Sequence, residues 1–191
     1  MPSGKEKKKA RFKSGSSSFF QRNKATLKAF LIFILTIAIC FSILISHVLD
    51  RILVYPFTVL VAKTSSVILN IFGYGTSVAG TFLKSAEKTL NIGTGCNGLE
   101  AVVIFISAII AFPARLKSKL LGLLLGFLGI FIINQTRVVG LFLVNLYAPQ
   151  HLDLAHTYIG QTYVIISGVA LWILWAEKNS NVSQKNTAAV S

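Results

Sequence analysis

Apolar residues in this chain gather in runs too long for strands and too continuous for one-sided helices. The first run, Leu27 to Val48, exceeds the roughly 20 residues that a helix needs to cross a bilayer. No small-residue cleavage site follows it, so it reads as an anchor rather than a cleaved signal peptide. A second stretch, Leu53 to Phe72, is broken by Pro56, Lys63, Thr64, Ser65 and Ser66. That pattern predicts an interfacial or re-entrant helix, or one packed against others, because a lysine facing lipid is costly. From Gly73 to Gly95 the chain is polar and punctuated by glycines, and Thr76 to Leu83 alternates as a small hairpin would. Apolar sequence returns from Leu99 to Ala114 and breaks at Pro113, Arg115, Lys117 and Lys119. It then runs from Leu120 to Ile133, meets Asn134-Gln135-Thr136-Arg137, and continues to Tyr147. The last run is Tyr158 to Trp175, with Trp172 and Trp175 placed as interfacial anchors.

The expected fold is therefore all-α: a polytopic membrane helical bundle of about four spanning helices plus one interfacial or re-entrant helix, with a small loop structure on one face. The expected division is a disordered basic tail over 1–26, a transmembrane domain over 27–177 and a polar tail over 178–191.

Composition agrees: 53% of the 191 residues are hydrophobic and only 13% are charged, about half the charged share of a soluble domain. The formal net charge of +13 is concentrated before the first apolar run, where nine lysines and arginines from Lys5 to Lys28 are opposed by Glu6 alone. Without interleaved aromatics or a folded module this tail does not read as a nucleic-acid binder. It reads as a segment touching anionic lipid headgroups. The N-terminal tail, the Arg115 to Lys119 loop and the C-terminal tail hold most of the 19 basic residues. The positive-inside rule then places all three in the cytoplasm, and Gly73 to Asn97 and Ala148 to Thr157 on the outer side.

Reactive side chains beside membrane segments call for an explanation. Cys96 opens the third apolar segment within Gly93-Thr94-Gly95-Cys96-Asn97-Gly98. A straight helix lifts Arg137 roughly 27 Å beyond Lys119, near the far side of a hydrocarbon core about 30 Å thick. His156 precedes the last run. Three residues distant in sequence are thus expected at one depth. A thiol near a helix N-terminus favours thiolate. A histidine can take its proton and return it to a leaving amine. An arginine supplies fixed donors to an oxyanion or a carboxylate. The same residues have structural readings: Cys96 as packing, Arg137 snorkelling or paired with Glu100 or Asp153, His156 as a cap with His151 nearby, and His47 as interfacial. Cys40 lies within an apolar run and is no disulfide partner for Cys96. Three histidines and two cysteines offer no closed metal-ligand set, and no cofactor is expected.

The segments Gly95-Cys96-Asn97-Gly98-Leu99-Glu100, Asn134-Gln135-Thr136-Arg137 and His156-Thr157-Tyr158 resemble the three signature regions of the exosortase/archaeosortase family, whose Cys, Arg and His lie on successive membrane segments. The resemblance covers Leu90 to Trp175, and its Cys-Asn-Gly wording is most similar to the exosortase H branch. It implies a bacterial cytoplasmic (inner) membrane enzyme, a cysteine protease/transpeptidase with its site at the outer, periplasmic face. Its partners would be exported proteins that end in a short motif, a transmembrane helix and a basic cluster. By position, Cys96 would be the nucleophile, His156 the general base and acid, and Arg137 the oxyanion or thiolate partner, with Asn97 and Asn134 supporting them. Gly122, Gly126 and Gly129 would permit close approach of a substrate helix or of the protein's own helices. The competing readings are a non-catalytic transporter subunit or assembly factor, in which Arg137 and His156 are structural, and a protease that releases its product to water.

Overall fold

The computed structural model describes residues 24–93 and 95–188; most of the expected basic tail, Thr94 and the last three residues lie outside them. Among the described residues, five main helices and one small sheet make up the fold. Helix α1 is Lys24–Ile45. Helix α2, Tyr55–Ile71, is entered through the short turn His47–Leu49 and a π-helical turn Asp50–Val54. Strands β1 (Ser77–Ala79), β2 (Phe82–Lys84) and β3 (Thr89–Asn91) follow. Then come α3 (Leu99–Ala111) and α4 (Leu116–Tyr147). Helix α5, Gln161–Ala188, is entered through turns at Pro149–His151 and Leu152–Leu154 and a second π-helical turn, Ala155–Gly160.

Four of these stretches are long and apolar enough to cross a membrane: Thr26–Ile45, His47–Ile71, Leu116–Tyr147 and Pro149–Asn179. Leu99–Ala111 is apolar but shorter. The expected total of four long helices and one lesser one holds, but its membership differs. The broken stretch after Leu53 belongs to a long helix, and α3 is the short one. Two residues account for this. Pro56 stands in the first turn of α2, where a missing N–H costs nothing. Pro113 instead forces Phe112 into extended backbone (φ −74°, ψ 133°), which ends α3.

The polar residues of α2 have partners within the bundle. Thr58, Ser65 and Ser66 are buried while Lys63 is exposed, so the hydroxyls face protein and the lysine faces away. Ser65 Oγ donates to Gln135 Oε1 of α4 at 2.7 Å. Phe57 meets Phe127 and Phe131, and Leu69 shares a core with Phe142. Contacts thus ascend together along both helices, which run parallel.

The sheet is antiparallel in the order β1-β2-β3. The expected hairpin is present, turning at Gly80 with φ +60°, the left-handed backbone that a two-residue hairpin turn favours. The third strand was not anticipated. Leu83, Leu90 and Ile92 point from the sheet into a core shared with Val61, Leu69, Val138 and Phe142. Asn145 of α4 donates to the Thr89 carbonyl at 3.1 Å, fastening β3 to the bundle.

A second core joins α3, α4 and α5 through Phe105, Ile109, Ile130 and Val164. Here the glycines of α4 are filled by the protein's own side chains. A Cβ on Gly122 would stand 2.3 Å from Trp175 Nε1, on Gly126 2.0 Å from Phe105, and on Gly129 2.9 Å from Leu171. Trp175 also donates to the Ser118 carbonyl at 3.1 Å and packs edge-on against Phe112, so it serves as a helix-packing residue. Helix α5 continues to Ala188, making residues 178–188 of the expected polar tail helical. An apolar groove of about 430 Å³ lies among α1, α3 and α5, with Phe30, Phe33, Ala101, Phe105, Gly168 and Trp172 on its walls.

Candidate active site

The site grows from the loop between β3 and α3. Gly95 and Gly98 both adopt left-handed backbone (φ +86° and +83°), conformations costly for residues with a Cβ. Between them Cys96 and Asn97 are turned into the protein: Cys96 is 0% exposed and Asn97 2%. Gly98 is doubly constrained, since a Cβ there would lie 2.9 Å from Asn134 Cγ. The loop can press against α4 only because that atom is missing.

Side chains from two helices hold the loop. Asn97 Nδ2 donates to Thr58 Oγ1 of α2 at 3.0 Å, while its Oδ1 accepts from the Leu99 N–H at 3.1 Å and steadies the start of α3. Asn134 Nδ2 of α4 donates to the Cys96 carbonyl at 3.2 Å. Thr58 in turn donates to the Val54 carbonyl at 2.7 Å, so the chain of bonds runs from α2 through Asn97 to α3.

Arg137 links the remaining parts. It is 5% exposed, a depth at which a guanidinium must be well partnered. Its Nη1 donates to the Gly95 carbonyl at 2.8 Å and its Nη2 to the His156 carbonyl at 3.2 Å. Neither Glu100 nor Asp153 takes the place of these carbonyls; Asp153 accepts from Thr157 at 3.4 Å instead. The three sequence-nominated residues therefore converge, with Arg137 bonded to the backbone beside Cys96 and to the backbone of His156. The Cys96 thiol and the His156 imidazole share no hydrogen bond among the described residues.

Burial pushes the Cys96 thiol above the ordinary thiol range; the Arg137 charge pulls it back and the Glu100 charge pushes it further up. The resting thiol is thus neutral, with one cation nearby to favour the anion. A buried thiol, a fixed guanidinium and a half-buried histidine suit acyl transfer through a thioester. Among the described residues no cluster of His, Cys, Asp and Glu could hold a metal ion.

Sequence inspection did not single out Thr58, Gln135 or Gly160. Thr58 and Ser65 lie on one face of α2 seven residues apart, the one signal that its polar residues have protein partners.

No curated protein and no solved structure gives a match to this chain. The family model described as transmembrane exosortase (Exosortase_EpsH) matches residues 17–178. That span includes the whole bundle up to Lys178 and every residue of the site. With most of its length matched, this multi-pass membrane chain belongs to the transmembrane exosortase family.

Proposed function

We propose that the chain is a membrane-embedded cysteine transpeptidase that cleaves the C-terminal sorting signal of exported proteins and transfers or releases them. The observation that carries this reading is Arg137, whose two bonds tie the Cys96 loop to the His156 turn. Cys96 is the nucleophile. His156 accepts the thiol proton as sulfur attacks the scissile carbonyl; the C–S bond forms and the C–N bond breaks. The leaving amine takes the proton back from His156. Water or a second amine then attacks the thioester, and sulfur leaves with the proton. Arg137 favours the thiolate and the developing oxyanion. Asn97 and Asn134 keep the loop in place.

In this reading the Arg115 to Lys119 loop is cytoplasmic and the site faces the outer side of a bacterial cytoplasmic membrane. Because α2 runs parallel to α4, a cytoplasmic N-terminus then requires α1 to begin and end on the cytoplasmic side. The substrate helix lies in the groove whose α3 wall begins at Ala101, shortly after Cys96. The glycine face of α4 is closed to it by Trp175, Phe105 and Leu171. The second reading, a non-catalytic membrane protein, draws on the absence of a Cys96–His156 hydrogen bond.

The test co-expresses wild type, Cys96→Ala, Cys96→Ser, Arg137→Ala and His156→Ala with a tagged substrate bearing a C-terminal motif, helix and basic cluster. Processing that vanishes in the Cys96 variants at equal protein level supports the thiol route, and the mass of the new C-terminus separates transfer from hydrolysis. Processing by Cys96→Ala at the wild-type rate rejects it.

A further inference from the structure

Gly160 ends the π-helical turn Ala155–Gly160 and is buried. A Cβ built on it would stand 2.7 Å from Arg137 Nε, 3.3 Å from Arg137 Cγ and 2.9 Å from the Ala155 carbonyl oxygen. Nε is the guanidinium nitrogen nearest the chain and Cγ lies behind it, and the group they carry is already fixed at Gly95 and His156. The side chain therefore cannot swing aside without losing one of those bonds. Arg137 Nε is buried with no partner, consistent with an arginine drawn past the bare Cα to reach its two carbonyls. Not every helix glycine is confined in this way: half-buried Gly140 has nothing within 4 Å of its would-be Cβ, and buried Gly168 has only Ile130 at 3.8 Å.

We propose that Gly160 is a positioning residue: its missing side chain lets Arg137 pass under the π-helical turn and join the Cys96 loop to the His156 segment. The inference rests on the reading of Cys96, Arg137 and His156 as one site. Its test uses stability and thiol reactivity, so failure to find a substrate leaves it standing. Two charged side chains bear on the Cys96 thiol, Arg137 from α4 and Glu100 from α3. Displacing Arg137 leaves burial and Glu100 unopposed.

The experiment compares Gly160→Ala with Gly140→Ala in the full chain carrying Cys40→Ser, so that Cys96 is the single thiol. Thermal unfolding and the pH curve of Cys96 alkylation by iodoacetamide are measured in detergent. Both are repeated in an Arg137→Ala background, where neither Cγ nor Nε remains to meet the new methyl group. Gly160→Ala is expected to lower the melting temperature, slow alkylation near neutral pH and move the curve to higher pH. Gly140→Ala is expected to leave the alkylation curve unchanged. In the Arg137→Ala background, Gly160→Ala is expected to add little. Equal losses of stability in both backgrounds, or Cys96 reactivity identical with and without Gly160→Ala, overturn the proposal. Should Gly160→Ala fail to fold, recovery of folding with Arg137→Ala supports it. Failure of the double variant points to the Ala155 carbonyl as the obstacle and overturns it.

Discussion

Asn97 and Thr58 are joined by a 3.0 Å hydrogen bond across 39 positions of sequence, and this bond fixes the loop that carries Cys96 against α2. Both residues are almost fully buried, so no water can replace either partner without rearrangement. Thr58→Val keeps the shape and removes the acceptor, leaving a buried amide unsatisfied. The expected loss is about 1–3 kcal/mol, read from thermal unfolding in detergent. Thr58→Val and Asn97→Ala should be clearly non-additive when combined.

Arg137→Lys keeps the charge but offers no planar fork, so the carbonyls of Gly95 and His156 cannot both be held in the same way. Processing of a sorting-signal substrate is expected to fall by about 10²-fold at equal protein level. Near-wild-type processing would mean that the charge alone matters.

Glu100 raises the Cys96 thiol, in the same direction as burial and against Arg137. Removing it with Glu100→Gln should therefore lower the thiol and move the alkylation curve of Cys96 toward lower pH. Arg137→Gln should move it the other way. Single-thiol chains made with Cys40→Ser allow both curves to be recorded, and shifts of the opposite sign would contradict the electrostatic account.

Gly126 seats the Phe105 ring of α3. Gly126→Val would overpack that contact, at an expected cost of about 1–3 kcal/mol. A melting temperature unchanged by the substitution would show that this face of α4 is open to a substrate helix after all.

Filling the groove among α1, α3 and α5 separates docking from folding. Ala108→Phe adds a ring where the groove is open. Processing of a helix-bearing substrate should drop while the melting temperature holds, as checked by blot and by thermal unfolding.

Cys96, Arg137 and His156 were legible because each interrupts or borders an apolar run, where a polar side chain needs a reason. The bonds that unite them were not, since their acceptors are the backbone carbonyls of Gly95 and His156, groups present at every residue. The hairpin at Gly80 could be read from alternation and a turn glycine; β3 is only three residues long and too short for a pattern. The polar residues of α2 looked like obstacles to a long helix because composition does not show which way a side chain faces. Ser65 and Thr58 turn toward Gln135 and Asn97, while Lys63 faces outward. Gly160 carries no sequence signal, because its role lies in an atom it does not have.

Helix α4 has 32 residues, about 48 Å of continuous helix against a hydrocarbon core of about 30 Å. Such a rod must lean or project beyond the lipid tails. Arg137 lies on its later half, so any change in lean moves the guanidinium relative to the headgroups. Bilayer thickness thereby becomes a mechanical input to the site: vesicles with shorter or longer acyl chains would alter the depth at which Arg137 acts, with no change in the protein's sequence.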